Sequence, residues 1–151
     1  MIYGNRLKEL REEKELKQYE LAKILGFHEN GYGQFERETT LLPIKHLNTL
    51  SNRFKVSLDY LFNFTNIKQY KNSKEQINPE LSGKRLKEFR KENNLAQEKL
   101  AKLLNTTHTN LVGYEKGSYI IATPYLYTIC KKYNISADYL LGKIDEPKYL
   151  K

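Results

Sequence analysis

The sequence contains no tryptophan, one methionine and one cysteine. A single cysteine, Cys130, excludes a disulfide within the chain, so the fold must rest on packing, and a reducing compartment suits it. It lies between Ile129 and Lys131 on an apolar helical face, where it reads as a small buried hydrophobe rather than a reactive thiol. Only four prolines and eight glycines interrupt 151 residues. That excludes collagen-like and low-complexity chains. No apolar run approaches the roughly 20 residues of a membrane span. The N-terminal MIYGNRLKEL lacks the apolar core of a signal peptide. We expect a soluble cytoplasmic protein with no membrane partner. There is no phosphate loop, no metal-ligand spacing and no nucleophile set beside a base, so neither an enzyme, a metal nor a cofactor is expected. His28 and His46 stand without ligand partners nearby in sequence.

Charge is what the sequence has in excess. Lys and Arg number 26 against 18 Asp and Glu, giving +8 at neutral pH and a pI of about 9.4. The surplus is uneven: residues 1–65 carry a net +1, 66–81 another +1, and 82–151 carry +6. A basic balance favours a polyanionic partner without specifying a fold.

The chain also repeats itself at an offset of 79. GNRLKELREEKELKQYELAKILG (4–26) aligns without a gap to GKRLKEFRKENNLAQEKLAKLLN (83–105), and VSLDYL (56–61) aligns to ISADYL (135–140). Apolar character persists where identity fails, as in Leu10 with Phe89, Tyr32 with Leu111 and Phe54 with Tyr133. Two copies are too few for a solenoid, which buries its faces only by stacking. Two globular units fit instead: 1–65 and 82–145, joined by a polar linker, 66–81, and followed by a tail, 146–151. In the linker, Pro79 suits the first turn of the next helix.

Within each copy apolar residues recur at helical spacing, and no sustained alternation suggests a strand. Ser57 and Ser136 are apt N-caps for a short closing helix, with Asp59 and Asp138 near its positive end. The stretches QYELAKILGFHENGYGQFE (18–36) and QEKLAKLLNTTHTNLVGYE (97–115) carry the function. Ala22 and Ala101 permit close helix contact. Gly26 and Asn105 tolerate the positive φ of a sharp turn. Tyr32 with Phe35, and Leu111 with Tyr114, lock the second helix onto the first. That is the logic of a helix-turn-helix.

With these residues in place, both halves resemble the phage repressor and Cro-like XRE family of transcriptional regulators. The resemblance rests on RLKELRE, Gln18, the LA and LG pairs, FE and VSLDYL in copy one. In copy two it rests on RLKEFRK, Gln97, LA, LL, YEKG and ISADYLLG. It implies an all-α chain of two tandem lambda-repressor-like five-helix DNA-binding domains. It also implies a recognition helix over roughly 28–38 and 107–117, lying in the major groove of double-stranded DNA. The family's contact positions fall on Gln18, Glu29, Asn30, Gly33 and Gln34, and on Gln97, Thr107, His108, Thr109, Asn110 and Gly113. Asn and Gln side chains suit adenine edges, and a helix start suits a phosphate. The resemblance further implies that Arg11 pairs with Glu36, and Arg90 with Glu115, as structural ion pairs. Polar residues on such helix faces are otherwise ordinary solvated surface, which remains the competing reading for each of them.

The copies differ. Copy one has Gly31 and Gly33 in its recognition segment, His28 in place of a hydroxyl N-cap, and Glu38 where the family prefers glycine. Copy two has Thr107 and Gly117 at those two places, but Ala96 stands where a cap would precede its second helix. Copy two is therefore expected to be the better DNA reader. The leading function is sequence-specific regulation, most naturally repression. The alternative is an antirepressor- or antitoxin-like interaction module that keeps the fold without reading DNA. The resemblance allows a homodimer, and two domains in one chain could instead supply the pair.

Overall fold

A computed structural model describes residues 1–150. It divides into a unit covering Met1–Gln69 and a second beginning at Tyr70. The first contains α1 (Gly4–Glu13), α2 (Gln18–Leu25), α3 (Gly33–Glu36), α4 (Ile44–Phe54) and α5 (Leu58–Leu61). The second contains α6 (Pro79–Glu92), α7 (Gln97–Leu103), α8 (His108–Lys116), α9 (Thr123–Tyr133) and α10 (Ala137–Leu140). Among the described residues the sole extended pairing is an isolated bridge between Ile135 and Tyr149. Among the described residues the fold is all-helical, with five helices in each unit.

The repeat is preserved in the backbone as well as in the side chains. Left-handed residues recur at the same offset: Glu15 with Asn94, Gly26 with Asn105, Glu38 with Gly117, Lys55 with Asn134, Asn63 with Gly142. Each marks the turn that ends a helix, where a positive φ lets the chain reverse. Ser57 and Ser136 cap the last helices, their hydroxyls accepting the N–H of Tyr60 (2.9 Å) and Tyr139 (3.1 Å).

Each core is a single apolar cluster. In the first unit Leu7, Leu21, Leu47, Leu50, Leu58 and Leu61 are completely enclosed. In the second, Leu100, Leu126 and Ile129 occupy the places of Leu21, Leu47 and Leu50, Leu111 takes that of the buried Tyr32, and Cys130 is also buried. Removing apolar area from water is the main stabilising contribution to units of this size. His46 packs edge-on against Phe27, with ring centroids 4.7 Å apart. Burial, with help from nearby Lys45, holds its imidazole below the ordinary value.

Arg6 and Arg85 close the two units in the same way. Arg6 lies over the Tyr60 ring at 3.9 Å and donates to the carbonyls of Tyr60 and Thr65. Arg85 lies over Tyr139 at 4.0 Å and donates to the carbonyls of Tyr139 and Ile144 and to Asp145. A cation over an aromatic face, with its donors satisfied, fixes the first helix against the last.

The segment read as a polar linker is tied at several points to the units it joins. Ser57 N–H donates to the carbonyl of Lys68 and its hydroxyl to that of Ile67. On the other side, Lys74 and Asn78 N–H groups donate to the carbonyls of Lys143 and Leu141. Helix α6 starts at Pro79, three residues ahead of the expected domain edge, because Asn78 caps it by accepting from Leu81 N–H at 3.0 Å. The expected tail is tied as well: Ser136 N–H donates to Lys148, and Leu150 N–H to Asn134. Lys151 falls outside the described residues. No helix among those described is long and apolar enough to cross a membrane.

Candidate nucleic-acid interface

In the second unit, α7 and α8 meet across a turn that Asn105 makes at a φ of 61°. Ala101 is nearly enclosed at the crossing. Thr107 accepts the Asn110 N–H at 3.0 Å, satisfying one of the open donors of α8. Gly117 closes the helix with a φ of 75°. The result is a nine-residue helix with both ends finished.

A hydrogen-bonded chain sets the polarity of its leading edge. Arg90 grips Glu115 through two bonds, 2.6 and 3.1 Å long. Gln97 Nε2 donates to the same carboxylate at 3.1 Å, so its Oε1 must face the other way as an acceptor. That oxygen sits 3.1 Å from His108 Nε2. With Gln97 Oε1 as the acceptor, His108 Nε2 is the donor, and the contact ties the start of α8 to the start of α7. His108 and Thr109 are exposed. Asn110 is half-buried and spends its amide on Thr106, at 3.1 Å.

The first unit builds the same frame with a different reading edge. Arg11 holds Glu36 through bonds of 3.0 and 2.8 Å, and Gln18 Nε2 reaches Glu36 at 3.3 Å. The recognition segment departs from its expected helical span of 28–38: α3 is only the four residues Gly33–Glu36. His28 stands where Thr107 stands in the other unit. Its Nδ1 accepts the Asn30 N–H, two residues on, at 3.3 Å, and its carbonyl accepts from Gly31. Such local bonds favour a turn over a helix. Gly31 and Gly33 add the low helix propensity of glycine, roughly 1 kcal/mol each.

Two of the expected contact residues offer no free surface. Gly33 is buried, and a Cβ there would lie 2.8 Å from the Arg37 guanidinium and 3.1 Å from Gln18 Oε1. Gly113 is buried under the Tyr119 ring. Both are glycines because a neighbouring side chain occupies the space. Along the recognition segment of the first unit, His28, Glu29, Asn30, Gln34 and Arg37 are exposed. Lys17, Gln18, Tyr19, Asn30 and Arg37 border an open cleft between the start of α2 and α3. Gln34 bonds to Gly31 and Thr40 rather than standing free.

Sequence reasoning missed Arg37 and Tyr119, and singled out Glu38 only as a departure from glycine, not as a cap. Glu38 accepts the N–H groups of Ile2, Tyr3 and Gly4 at 2.9, 3.2 and 2.8 Å, capping α1 from across the unit. The signal was its departure from glycine at a left-handed position, which a carboxylate with a job can explain. Among the described residues no cluster of His, Cys, Asp or Glu is arranged for a metal ion.

Two helix-turn-helix units on repeated five-helix frames define a DNA-binding class of protein. Comparison with known proteins agrees. Residues 7–61 match the model of one helix-turn-helix family, and residues 83–146 match that of another helix-turn-helix domain. The chain is 31% identical over 88 residues to the uncharacterized HTH-type transcriptional regulator YobD of Bacillus subtilis, covering 58% of this chain and 70% of that protein. It is 41% identical over 66 residues to the HTH-type transcriptional regulator ImmR of the same organism, covering 44% of this chain and 52% of that one. An SPbeta prophage-derived regulator, YonR, is 38% identical over 64 residues, covering 42% of this chain and 59% of that one. The chain belongs to the XRE-type helix-turn-helix family of transcriptional regulators, with two such domains in tandem.

Proposed function

We propose that this chain is a sequence-specific repressor of the cytoplasm that reads the major groove of double-stranded DNA with the third helix of each unit. In this reading the second unit carries most of the binding, and no cofactor takes part. The single observation that carries it is α8: a helix capped at both ends, presenting exposed His108 and Thr109 beside Gln97. A finished helix limits the ordering that binding must otherwise impose. The +6 carried by residues 82–151 supplies the sequence-independent attraction to phosphate. Asn30 and Gln34 in the first unit, with Gln97, Thr107 and Asn110 in the second, complete the set of contacting or positioning residues.

A second reading draws on α3. Its four residues leave the first unit without an extended reading helix, which suits a surface that binds protein, or pairs two chains on a palindromic site. Selection of duplexes from random DNA by the full chain separates the readings. A sequence-specific regulator enriches a defined motif, and a reporter carrying that motif over its promoter is transcribed less when the chain is present. Absence of any enrichment, with no salt-dependent binding, favours the interaction module. A rise in reporter output contradicts repression alone.

A further inference from the structure

The offset of 79 places Gln34 opposite Gly113 and Thr40 opposite Tyr119, and the two pairs exchange size for size. In the first unit the long side chain is on the helix: Gln34 projects from α3, and the Thr40 hydroxyl donates to its Oε1 at 3.3 Å. In the second unit the helix position is empty of side chain, and the long group arrives from the following loop. A Cβ on Gly113 would lie 2.2 Å from the Tyr119 hydroxyl and 2.3 Å from its Cζ. The end of the phenol therefore occupies the volume a side chain at position 113 would fill. Position 113 is one turn on from Thr109 and almost one turn before Lys116, both exposed, so it belongs to the outward face of α8.

Three further observations fix what this phenol can do. Its ring is held edge-on against Tyr114, with centroids 5.5 Å apart at 86°. Tyr119 is nevertheless 47% exposed. Among the described residues, its hydroxyl has no hydrogen-bond partner. A ring anchored at one edge, with an unused donor and acceptor at its tip, is preorganised for a contact outside the protein.

We propose that Tyr119 is a base-contacting residue of the second unit, its hydroxyl standing on the recognition face where Gln34 stands in the first. Gly113 is the positioning residue that gives it room. This rests on the proposed major-groove reading and adds to it a reader contributed by the loop rather than by the helix. A hydroxyl can donate to a purine acceptor or accept from an exocyclic amine, and a rigid phenol selects among them by position.

The test uses the full chain and the duplexes it selects from random DNA. Tyr119→Phe keeps the ring, its packing on Tyr114 and the filling of the Gly113 surface. It should weaken binding to the selected duplex about tenfold and relax preference at one base-pair position. The slope of log affinity against log salt should not change, since no charge is lost. Gly113→Ala displaces the ring and should reproduce the loss seen in Tyr119→Ala, with little further loss when the two are combined. The swap Gly113→Gln with Tyr119→Thr imports the first unit's pair; it should fold, keep binding and change the selected motif. Unaltered affinity and preference in Tyr119→Phe and Tyr119→Ala, while Thr109→Ala weakens binding, would overturn the inference and leave the groove reading standing. An equal loss on every duplex, with no change of preference at any base pair, would make Tyr119 a phosphate contact and equally overturn it. Failure of the wild-type chain to select any duplex would overturn both.

Discussion

The residues that hold the recognition segments in place are ionic, enclosed and duplicated. Arg11 and Glu36 retain 12% and 5% of their side-chain exposure, and Arg90 and Glu115 retain 11% and 4%. Burial alone would raise the Glu36 carboxyl. The bonds from Arg11, with lesser help from Gln18, outweigh it and hold the group below its ordinary value of 4.5. Replacing Glu36 with Gln strands a buried guanidinium, and the first unit should lose about 3 kcal/mol in urea unfolding at neutral pH. The sign of the acid dependence follows from the lowered carboxyl. Its contribution is complete above the unfolded-state value and disappears as pH falls through the folded-state value, from about 4 downward. Melting curves of Glu36→Gln between pH 6 and 3 should therefore be flatter than those of the unsubstituted chain; parallel curves would show that the pair does not control acid stability. These pairs were accessible from the sequence only through the family resemblance. Arg6 and Arg85 were not, because an arginine near a helix start looks solvated. Their identical recurrence with Tyr60 and Tyr139 was the available signal, and it points to stacking.

At the scale of elements, capping decides which recognition segment becomes a helix. Thr107 and Gly117 make α8 nine residues long, whereas His28 offers the Asn30 N–H a ring nitrogen at 3.3 Å in place of a hydroxyl, two glycines follow, and α3 has only four residues. Thr107→Ala should destabilise the second unit by about 1 kcal/mol, readable as a lower thermal midpoint, and should weaken DNA binding by fraying the leading turn. The first unit spends its departure at residue 38 differently. Glu38 adopts a left-handed φ of 61° and uses its carboxylate to cap α1. Glu38→Ala keeps the unfavourable backbone and loses the cap, so it should cost about 1–2 kcal/mol in the same assay. An unchanged midpoint would mean that these N–H groups are equally content with water. The helix-turn-helix frames, the turns at Gly26 and Asn105 and the serine-capped last helices were legible from spacing and residue chemistry. The collapse of α3 was only half legible. The two glycines warned of it, but a periodic apolar pattern through Tyr32 and Phe35 argued for a full helix. The burial of Gly33 and Gly113 was illegible, because it depends on where the side chains of Arg37 and Tyr119 lie.

For the whole molecule the central claim is that a duplicated frame carries unequal readers. The polar linker over 66–81 is tied to the units at Ile67, Lys68, Lys74 and Asn78, whose backbone groups find partners in the closing segments of each one. No composition signal distinguishes such an edge-bound segment from a free tether. The asymmetry of charge was read directly and stands in the sequence. The measurement that tests the claim most directly is a salt-titrated binding series on one selected duplex with three full-length chains. These are the unsubstituted protein, Asn30→Ala with Gln34→Ala, and His108→Ala with Thr109→Ala. The account predicts steep salt dependence for all three. It predicts an affinity loss of roughly thirtyfold for the α8 pair, the sum of two contacts of about 1 kcal/mol each, the lower end of the range for base contacts. It predicts a loss of no more than a few-fold for the first-unit pair. An equal or larger loss from the Asn30 and Gln34 substitutions would contradict it.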